Sequence, residues 1–277
     1  MDAAAQVAEI KKSGDANAST RWRRVATYQP MIIKGCGLVA LLILWWIGSL
    51  ILPPTVLPGP GLVGTELVRN YQEGVLLPNF MSTMTRIVLG FVLAMGMGIV
   101  FGALMGLSRT AEEFFDLWIM VGITIPSLAV LLILYILFGL NEFATVLAIG
   151  MSAFPAIAIN VWQGVKSVDN KLLAMGRVYG VNKSRRFTQI VFPQIAPYLV
   201  ASSRFGLGII WKITVVAELI GRDSGIGFQL HYWFQLFNMP QVFAWTLFFT
   251  LIMLVIELGI FKPVERRLFR WRPATKF

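Results

Sequence analysis

The sequence predicts an all-α integral membrane protein folded as a six-span helical bundle, and its composition, its apolar stretches and the placement of its cations each support this. Apolar residues make up 57% of the 277 residues and charged residues only 14%, whereas a soluble domain carries about 25% charged residues. A chain of this length cannot bury so much apolar surface in one globular core. We therefore expect lipid to surround much of the protein.

Six apolar stretches are long enough to cross a bilayer, which takes about 20 residues in a helix. They cover residues 33–52, 84–106, 117–138, 143–162, 198–220 and 242–261. Their length and their lack of period-two alternation exclude the strands of a membrane barrel. Proline is expected to kink the third and fourth spans, at Pro126 and Pro155.

The chain is expected to consist of a cytoplasmic N-terminal tail (residues 1–30), a transmembrane domain (31–265) and a cytoplasmic C-terminal tail (266–277). A proline-rich stretch follows the first span and should hold a short helix near Val63–Tyr71. The largest polar interruption, about residues 163–197, separates the fourth span from the fifth.

The cations are distributed unequally between the two sides of the predicted bundle. The two tails with the flanking Lys34 and Lys262, the loop at Arg109 and the segment 163–197 together hold 19 of the 24 lysines and arginines, whereas the outer loops hold only Arg69 and Arg222. Because lysine and arginine resist transfer across the membrane, both termini are predicted to be cytoplasmic. The basic surplus then faces anionic lipid, and nucleic acid is not an expected partner because the sequence contains no folded basic domain with base-reading groups.

Several classes of enzyme and metal site are excluded by what the sequence lacks. One cysteine, Cys36, and one histidine, His231, exclude a disulfide framework and a multi-histidine metal centre. There is no Gly-x-x-x-x-Gly-Lys-Ser/Thr phosphate loop, so the chain itself is not expected to hydrolyse ATP. We expect no catalytic residues, no metal and no cofactor on this chain.

The polar segment between the fourth and fifth spans is predicted to form two short helices that meet at a glycine. Asp169 or Asn170 can cap the start of the first helix, and Gly180 suits the position just past its end, where a positive φ costs little. The second helix is expected to run from Lys183 to Val191 and to stop at Phe192-Pro193.

The first of these helices has an apolar side, formed by residues at helical spacing. They are Leu172, Leu173, Met175, Gly176 and Tyr179. Two interpretations follow: an amphipathic helix pair that rests on the bilayer, or a docking element for a cytoplasmic partner.

This segment resembles the cytoplasmic loop of the permease subunits of ABC importers. The signature of that loop is Glu-Ala-Ala, three residues, a glycine, nine more residues and then Ile-x-Leu-Pro. Gly180, Ile190 and Pro193 fall in register with it, and Phe192 replaces the leucine. Ala174-Met175-Gly176 stands where Glu-Ala-Ala is expected, so the signature glutamate is missing.

The resemblance extends over most of the spans and is to the nitrate/sulfonate/taurine/bicarbonate-type permeases. The similar segments are Leu57-Pro58-Gly59-Pro60, Ser82 to Gly106, Ile125-Pro126, Phe138-Gly139, Gly208 to Glu218, Ser224 to Gly227, and Glu265 to Arg267 with Trp271. It implies a permease like those of type I ABC importers, which forms a homodimeric channel in the bacterial cytoplasmic (inner) membrane.

The resemblance also implies the partners. Two ATPase subunits, which hold ATP and Mg, would bind through the cytoplasmic loop, and a periplasmic or lipid-tethered binding protein would deliver a small solute. The residues expected to couple the permease to the ATPase are Leu173, Ala174, Met175, Gly176, Tyr179, Gly180, Ile190 and Pro193.

The fifth span carries ionisable residues, which are costly inside a membrane and usually face a pathway or a partner. Arg204, Trp211 and Glu218 recur every seven residues and so lie near one helical stripe. We expect this span to line the translocation pathway, with Lys212 near the midplane attracting an anion and Glu218 near the outer mouth. The pathway residues are Gly208, Trp211, Lys212, Val215 and Glu218.

Structural roles for these charges remain open at this point. Arg204 can extend to the inner interface, and Lys212 or Glu218 can instead pair with another helix, for which Glu257 in the sixth span is the obvious candidate. His231 lies among aromatic residues of an outer loop and is more typical of an interfacial belt than of a ligand.

Two further alternatives concern helix packing and function class. The second-span glycines, spaced by four at Gly98, Gly102 and Gly106, favour close helix packing within one subunit or across a dimer. A secondary transporter or channel without an ATPase would show similar hydropathy, although the paired broken helices and inverted repeats typical of secondary transporters are not evident in the sequence.

Overall fold

The computed structural model describes Ile33 and residues 35–263, so both predicted tails lie outside the described residues. The chain divides into two compact units, with the boundary between Val63 and Gly64. The first unit contains the apolar helix α1 (Gly35–Ile51). Trp45 Nε1 donates a hydrogen bond to the Pro58 carbonyl at 3.1 Å, which ties α1 to the proline-rich segment.

Helices α2 to α11 account for most of the remaining described residues. They are α2 (Pro60–Gln72), α3 (Leu76–Leu107), α4 (Arg109–Thr124), α5 (Ser127–Phe138), α6 (Glu142–Lys166), α7 (Asn170–Val178), α8 (Lys183–Arg186), α9 (Phe192–Gly221), α10 (Ile226–Gln235) and α11 (Met239–Ile256). A π-helical turn, Phe187–Val191, joins α8 to α9, and another, Glu257–Phe261, follows α11. The short helix predicted near Val63–Tyr71 is confirmed as α2.

Among the described residues, four helices are long and apolar enough to cross a membrane: α3, α6, the continuous helix from α8 through α9, and α11 with its π turn. The count becomes five if α4 and α5, which are bent by 97° relative to each other, form one broken span. The first predicted span is the shorter apolar helix α1. The all-helical membrane fold is confirmed, and the count of candidate spans is lower than the six predicted.

The third predicted span is broken because of the sequence at Ile125-Pro126. Ile125 is extended, with ψ at 125°, as expected for a residue whose helical conformation would clash with the following proline ring. The predicted kink is therefore a break of the helix. By contrast, α6 continues as one helix through Pro155.

Helices α3 and α6 pack side by side through glycines. Of the two alternatives for this stripe, packing within one subunit or across a dimer, the structure shows packing within one subunit. A Cβ at Gly98 would clash with Ile157, and a Cβ at Gly106 would lie 2.5 Å from Val165 Cβ. Contacts advance along both helices in the same direction, so α3 and α6 are parallel. The chain between them must then return across the membrane, which favours α4 and α5 as one broken span.

The remaining spans alternate in direction, as side-chain contacts show. Tyr198 of α9 packs against Gly164 near the end of α6, whereas Gly206 meets Ile157 further back, so α9 is antiparallel to α6. Trp211 packs on Phe249, and the later pairing of Arg204 with Glu257 makes α11 antiparallel to α9.

This topology gives the bundle a loop side and a far side. The loop side contains the ends of α3, α6 and α11, the start of α4, and the segment with α7 and α8; the far side contains the start of α6, the end of α9, and α10. An ion pair of 2.5 Å between Lys166 and Glu112 connects the end of α6 with the start of α4 on the loop side. Arg109 and the cations of segment 163–197 therefore share one side, as predicted, and Arg222 lies on the other.

We expect Gly102→Ala to lower the free energy of unfolding by about 1–3 kcal/mol, because the added Cβ would lie 2.5 Å from the Ala158 carbonyl oxygen and 2.7 Å from Val161 Cβ. Gly96→Ala is the matched control. No atom lies within 4 Å of its Cβ position, and alanine there should stabilise α3 by up to about 1 kcal/mol. Thermal unfolding of the purified variants measures both, and equal effects would contradict the packing of α3 on α6.

Candidate functional site

Helix α7 has well-defined ends, both of which match the sequence prediction. At its start, the backbone N–H of Lys171 donates to Asp169 Oδ1 at 2.7 Å. At its end, Gly180 has φ at 68°, and the N–H groups of Gly180 and Val181 donate to the carbonyls of Arg177 and Gly176. This is the closing hydrogen-bond pair of a glycine-terminated helix.

Two contacts attach α7 to the helix that leads into α9. The backbone N–H of Asp169 donates to Gln194 Oε1 at 2.9 Å, and Gln194 Nε2 donates to the Ile190 carbonyl at 2.8 Å. Gly176 is buried, and a Cβ there would lie 3.1 Å from Ile190 Cδ1 and 3.3 Å from Arg186 Cδ. The structure thus brings together Gly176 and Ile190, both predicted as coupling residues. Gln194 was not predicted, since no sequence pattern distinguishes it.

The sequence predicted that the second short helix stops at Phe192-Pro193, and this prediction is wrong. It continues from Lys183 through the π turn into α9, up to Gly221. Pro193 has no N–H to donate and would disturb a regular helix. The wider turn at Phe187–Val191 lies directly before it, and local π adjustments of this kind accommodate proline in membrane helices.

The outward side of α7 exposes apolar side chains. Met175 is 54% exposed, Tyr179 78% and Val178 85%, and Ala174 and Gly180 are exposed beside them. Leu173 is half-buried on the inward side. Val178 was not predicted, although its spacing of three from Met175 marks the same face.

The predicted pathway residues of α9 divide between two faces. Trp211 and Glu218 are fully buried in the chain, with Trp211 packed edge-to-face on Phe249 at 4.8 Å between ring centroids. Lys212 is exposed, and Gly208 and Val215 are partly exposed. Within the described part of the chain, the Lys212 ammonium makes no hydrogen bond or ion pair.

Glu218 belongs to a buried ionic cluster whose centre is Arg86 of α3. Arg86 Nη1 donates to Glu218 Oε1 at 2.7 Å, while its Nε and Nη2 donate to both oxygens of Glu142 at 3.0 and 2.7 Å. The Arg86 side chain is 3% exposed and that of Glu218 is 0% exposed. This arrangement favours the structural ion-pair alternative for Glu218, and its partner is Arg86, which the sequence analysis did not pair with it.

The same cluster holds the loop between α9 and α10. Arg86 also donates to the Ser224 carbonyl at 2.7 Å and to Ser224 Oγ at 2.9 Å. The backbone N–H of Gly227 donates to Glu218 Oε2 at 2.8 Å, and that of Ile226 donates to Thr83 Oγ1 at 2.9 Å. Glycine is required at position 225, where φ is 109° and any Cβ would collide with the Glu218 carboxylate. The start of α10 is therefore fixed in place.

Glu257 pairs with Arg204 rather than with Lys212 or Glu218, which corrects the expectation for its partner. The antiparallel register of α9 and α11 is the reason, because it brings the end of α11 opposite the first half of α9. Both side chains are partly exposed, at 48% for Arg204 and 34% for Glu257.

The family model of the binding-protein-dependent transport system inner membrane component matches residues 87–268. The chain belongs to this family of ABC transporter permeases. The putative aliphatic sulfonates transport permease protein SsuC of Bacillus subtilis is 31% identical over 243 residues, which cover 87% of this chain and 88% of that protein. The taurine transport system permease protein TauC of Escherichia coli K12 is 28% identical, over 91% and 93% of the two chains.

Two further comparisons extend the family in sequence and in structure. The nitrate import permease protein NrtB of a Synechocystis strain is 28% identical, over 73% of this chain and 76% of its own. In solved structures, a chain of the MetNI methionine ABC transporter in an inward-facing conformation aligns with a TM-score of 0.62 and 14% identity, over 71% of this chain and 97% of that chain. At this identity the likeness shows the fold alone.

Membership of the permease family decides between the function classes left open by hydropathy. The chain is the membrane-spanning component of an ABC importer rather than a secondary transporter or channel. ATP hydrolysis belongs to the partner subunits of such a transporter, as the missing phosphate loop predicted.

We expect Arg86→Gln to lower the free energy of unfolding of the permease by about 3–5 kcal/mol, because Glu218 would remain buried without its cation. Arg109→Gln is the matched control. Arg109 pairs with Glu113 at 3.0 Å on the surface, where it is 90% exposed, so its loss should cost less than about 1 kcal/mol. Melting temperatures in the same detergent compare the two, and a small, equal shift for both would rule out a structural role of the cluster.

Proposed function

We propose that this permease imports a small anion of the sulfonate, taurine or nitrate kind. It works as a homodimer in the bacterial inner membrane, with its loop side and both termini in the cytoplasm. Two ATPase subunits, which hold ATP and Mg, bind at α7, and a periplasmic or lipid-tethered binding protein delivers the solute to the far side. The chain itself binds no cofactor.

The cytoplasmic assignment of the loop side rests on the cations. The segment between α6 and α9 carries Lys171, Arg177, Lys183, Arg185 and Arg186, and the end of α11 reaches the same side. An excess of lysine and arginine marks the side of a membrane protein that was not translocated.

The attachment of α7 to α9 is the observation that carries the coupling role. Asp169 and Gly176 contact Gln194 and Ile190, which attaches α7 at two points to the helix that begins at Lys183. That helix continues into α9 without a break. A force on α7 is therefore transmitted to a membrane span. The exposed apolar residues Met175 and Val178 supply the surface that an ATPase subunit can cover.

The exposed side of α9 supplies the translocation pathway in this proposal. Gly208, Lys212 and Val215 lie on one stripe that continues to Leu219. A lysine in the middle of a span costs about 2.5–3.5 kcal/mol unless it meets water or a partner, and a central aqueous pathway satisfies this condition. Trp211 and Glu218 then support the stripe from behind instead of touching the solute.

An anionic solute is consistent both with the lysine on this stripe and with the solutes for which the relatives are named. The relatives SsuC, TauC and NrtB are described as permeases for aliphatic sulfonates, taurine and nitrate, whose common feature is a sulfonate or nitrate oxyanion. The Lys212 ammonium would attract such a group strongly at low dielectric.

The coupling role is tested by replacing the exposed apolar residues of α7. We expect Met175→Ala with Val178→Ala to reduce co-purification of the ATPase subunits and ATP-driven uptake, because the apolar contact area is removed. The matched control is Leu140→Ala with Phe143→Ala, a pair that is 62% and 63% exposed but lies on the far side. If the α7 pair leaves both the assembly and uptake intact, α7 is not the docking element.

The pathway role is tested at Lys212. We expect Lys212→Gln to reduce uptake of an anionic solute into proteoliposomes at least about tenfold, because the attraction at the midplane is lost. Lys212→Arg should retain most of the uptake, since it keeps the charge. Melting temperature and ATPase association serve as controls for folding, and full uptake by a well-folded Lys212→Gln variant would remove Lys212 from the pathway.

A further inference from the structure

A cavity of about 750 Å³ opens on the far side, where α9, α10 and α11 meet. Its lining is mostly apolar, with Leu219, Leu230, Phe234, Phe237 and Val242. The three polar side chains of the lining are His231, Gln235 and Thr246. Small-molecule sites have about this volume and this mixture of apolar walls and a few polar groups. The His231 and Gln235 side chains are joined by a hydrogen bond of 2.7 Å.

One residue of the lining has an unusual backbone conformation. Phe237 has φ at 55°, and it alone among the described non-glycine residues has a positive φ. It occupies the position after α10 that glycine normally takes, because its N–H donates to the Phe234 carbonyl and that of Asn238 donates to the Trp233 carbonyl. A side chain with a Cβ is strained there.

The strain at Phe237 is not compensated by burial within the described chain. Its side chain is 79% exposed, although an aromatic ring is among the groups that gain most from burial. Strained residues of this kind concentrate at binding and active sites. The geometry therefore points to an occupant of the cavity that covers the Phe237 ring.

The cavity wall is held in place before any occupant arrives. The loop before α10 is fixed by Arg86, Thr83 and Glu218, as described above, and the start of α11 is fixed by a hydrogen bond of 2.8 Å between Asn70 and Gln241. A preformed wall lowers the entropic cost of binding a small solute.

We propose that this cavity is an outer recognition site for organic anions, in which an apolar body rests on Phe237. The inference rests on the proposed function and deepens it by naming the substrate class. Leu219 belongs both to the cavity and to the exposed stripe of α9, and Lys212 lies seven residues below it, a rise of about 10 Å along the helix. Within the described residues of this stripe, Lys212 is the only cation between Arg204 and the cavity. An organic anion that leaves the cavity along the stripe therefore moves towards Lys212.

The polar groups of the lining distinguish this occupant from lipid. The Thr246 hydroxyl donates to the Val242 carbonyl at 2.8 Å, so the free donors of the lining are the second amide proton of Gln235 and the other ring nitrogen of His231. An acyl chain would leave these donors without a partner, whereas an organic anion has acceptor oxygens for them. An inorganic anion such as nitrate, in turn, would leave the aromatic wall unused. The site therefore selects sulfonates or carboxylates that carry several carbons.

The test uses the intact permease–ATPase complex in lipid nanodiscs without the binding protein. Isothermal titration calorimetry compares methanesulfonate, butanesulfonate and hexanesulfonate, with nitrate as the inorganic probe. We expect affinity to rise with chain length by about two- to fourfold for each methylene that enters the cavity. Affinities that do not depend on chain length would overturn the proposal.

Substitutions in and beside the cavity test whether the dependence of affinity on chain length arises there. Phe237→Gly relieves the strained φ and should raise the melting temperature while it flattens the dependence on chain length; Phe234→Ala, another exposed cavity residue, should flatten it as well. Leu236→Ala is the matched control, since Leu236 is 57% exposed and lies outside the cavity lining. Unchanged chain-length dependence in both cavity variants would overturn the proposal.

This design separates the recognition site from the function on which it rests. A complex that assembles and couples ATP to uptake, but binds all chain lengths equally, contradicts only the cavity. Failure of the ATPase to associate with the wild-type permease contradicts the proposed function. Lys212→Gln should weaken all the sulfonates by one common factor and leave the dependence on chain length intact.

Discussion

A buried charge inside a bilayer must be paired by the protein itself, and the cluster around Arg86 satisfies this constraint most completely. Hydrogen bonds from Arg86 reach Glu142, Glu218 and Ser224, so that one guanidinium joins α3, α6, α9 and the loop before α10. Removing Arg86 would leave the fully buried Glu218 carboxylate without its cation, where water cannot replace it. The relative positions of these elements on the far side are thereby determined.

The glycine stripe of α3 has the complementary effect along the length of the bundle. It brings the backbones of α3 and α6 so close that no methyl group fits at Gly102, and close packing of this kind does not deform continuously. With the ionic cluster at one end, α3 and α6 form a unit suited to rigid-body movement. On the far side, α9 is joined to that unit through Glu218.

Hydropathy predicted the membrane fold and the cation pattern predicted that Arg109 and segment 163–197 share one side, because the cost of inserting a residue depends mainly on the residue itself. The ends of α7 were also predictable, since capping by Asp169 and the left-handed Gly180 are local. The residues with which the buried charges pair were not predictable. Arg86 and Glu218 are 132 positions apart in the sequence. A spacing of seven residues placed Trp211 and Glu218 on one stripe of α9, but it did not indicate that this stripe faces the core. The strained Phe237 likewise depends on tertiary context, whereas Pro126 predicted a kink locally without indicating that the helix breaks there.

The two ends of α9 are held by unequal interactions, and this inequality determines how a movement of α7 would reach the pathway. At the far end Glu218 is fully buried and bound from three sides, whereas on the loop side Arg204 and Glu257 form a partly exposed pair next to a π turn. Exposed pairs contribute little and exchange readily with water. If an ATPase moves α7 as proposed, α9 therefore yields on the loop side and pivots about the Arg86 cluster, which displaces Lys212 while the outer cavity keeps its shape.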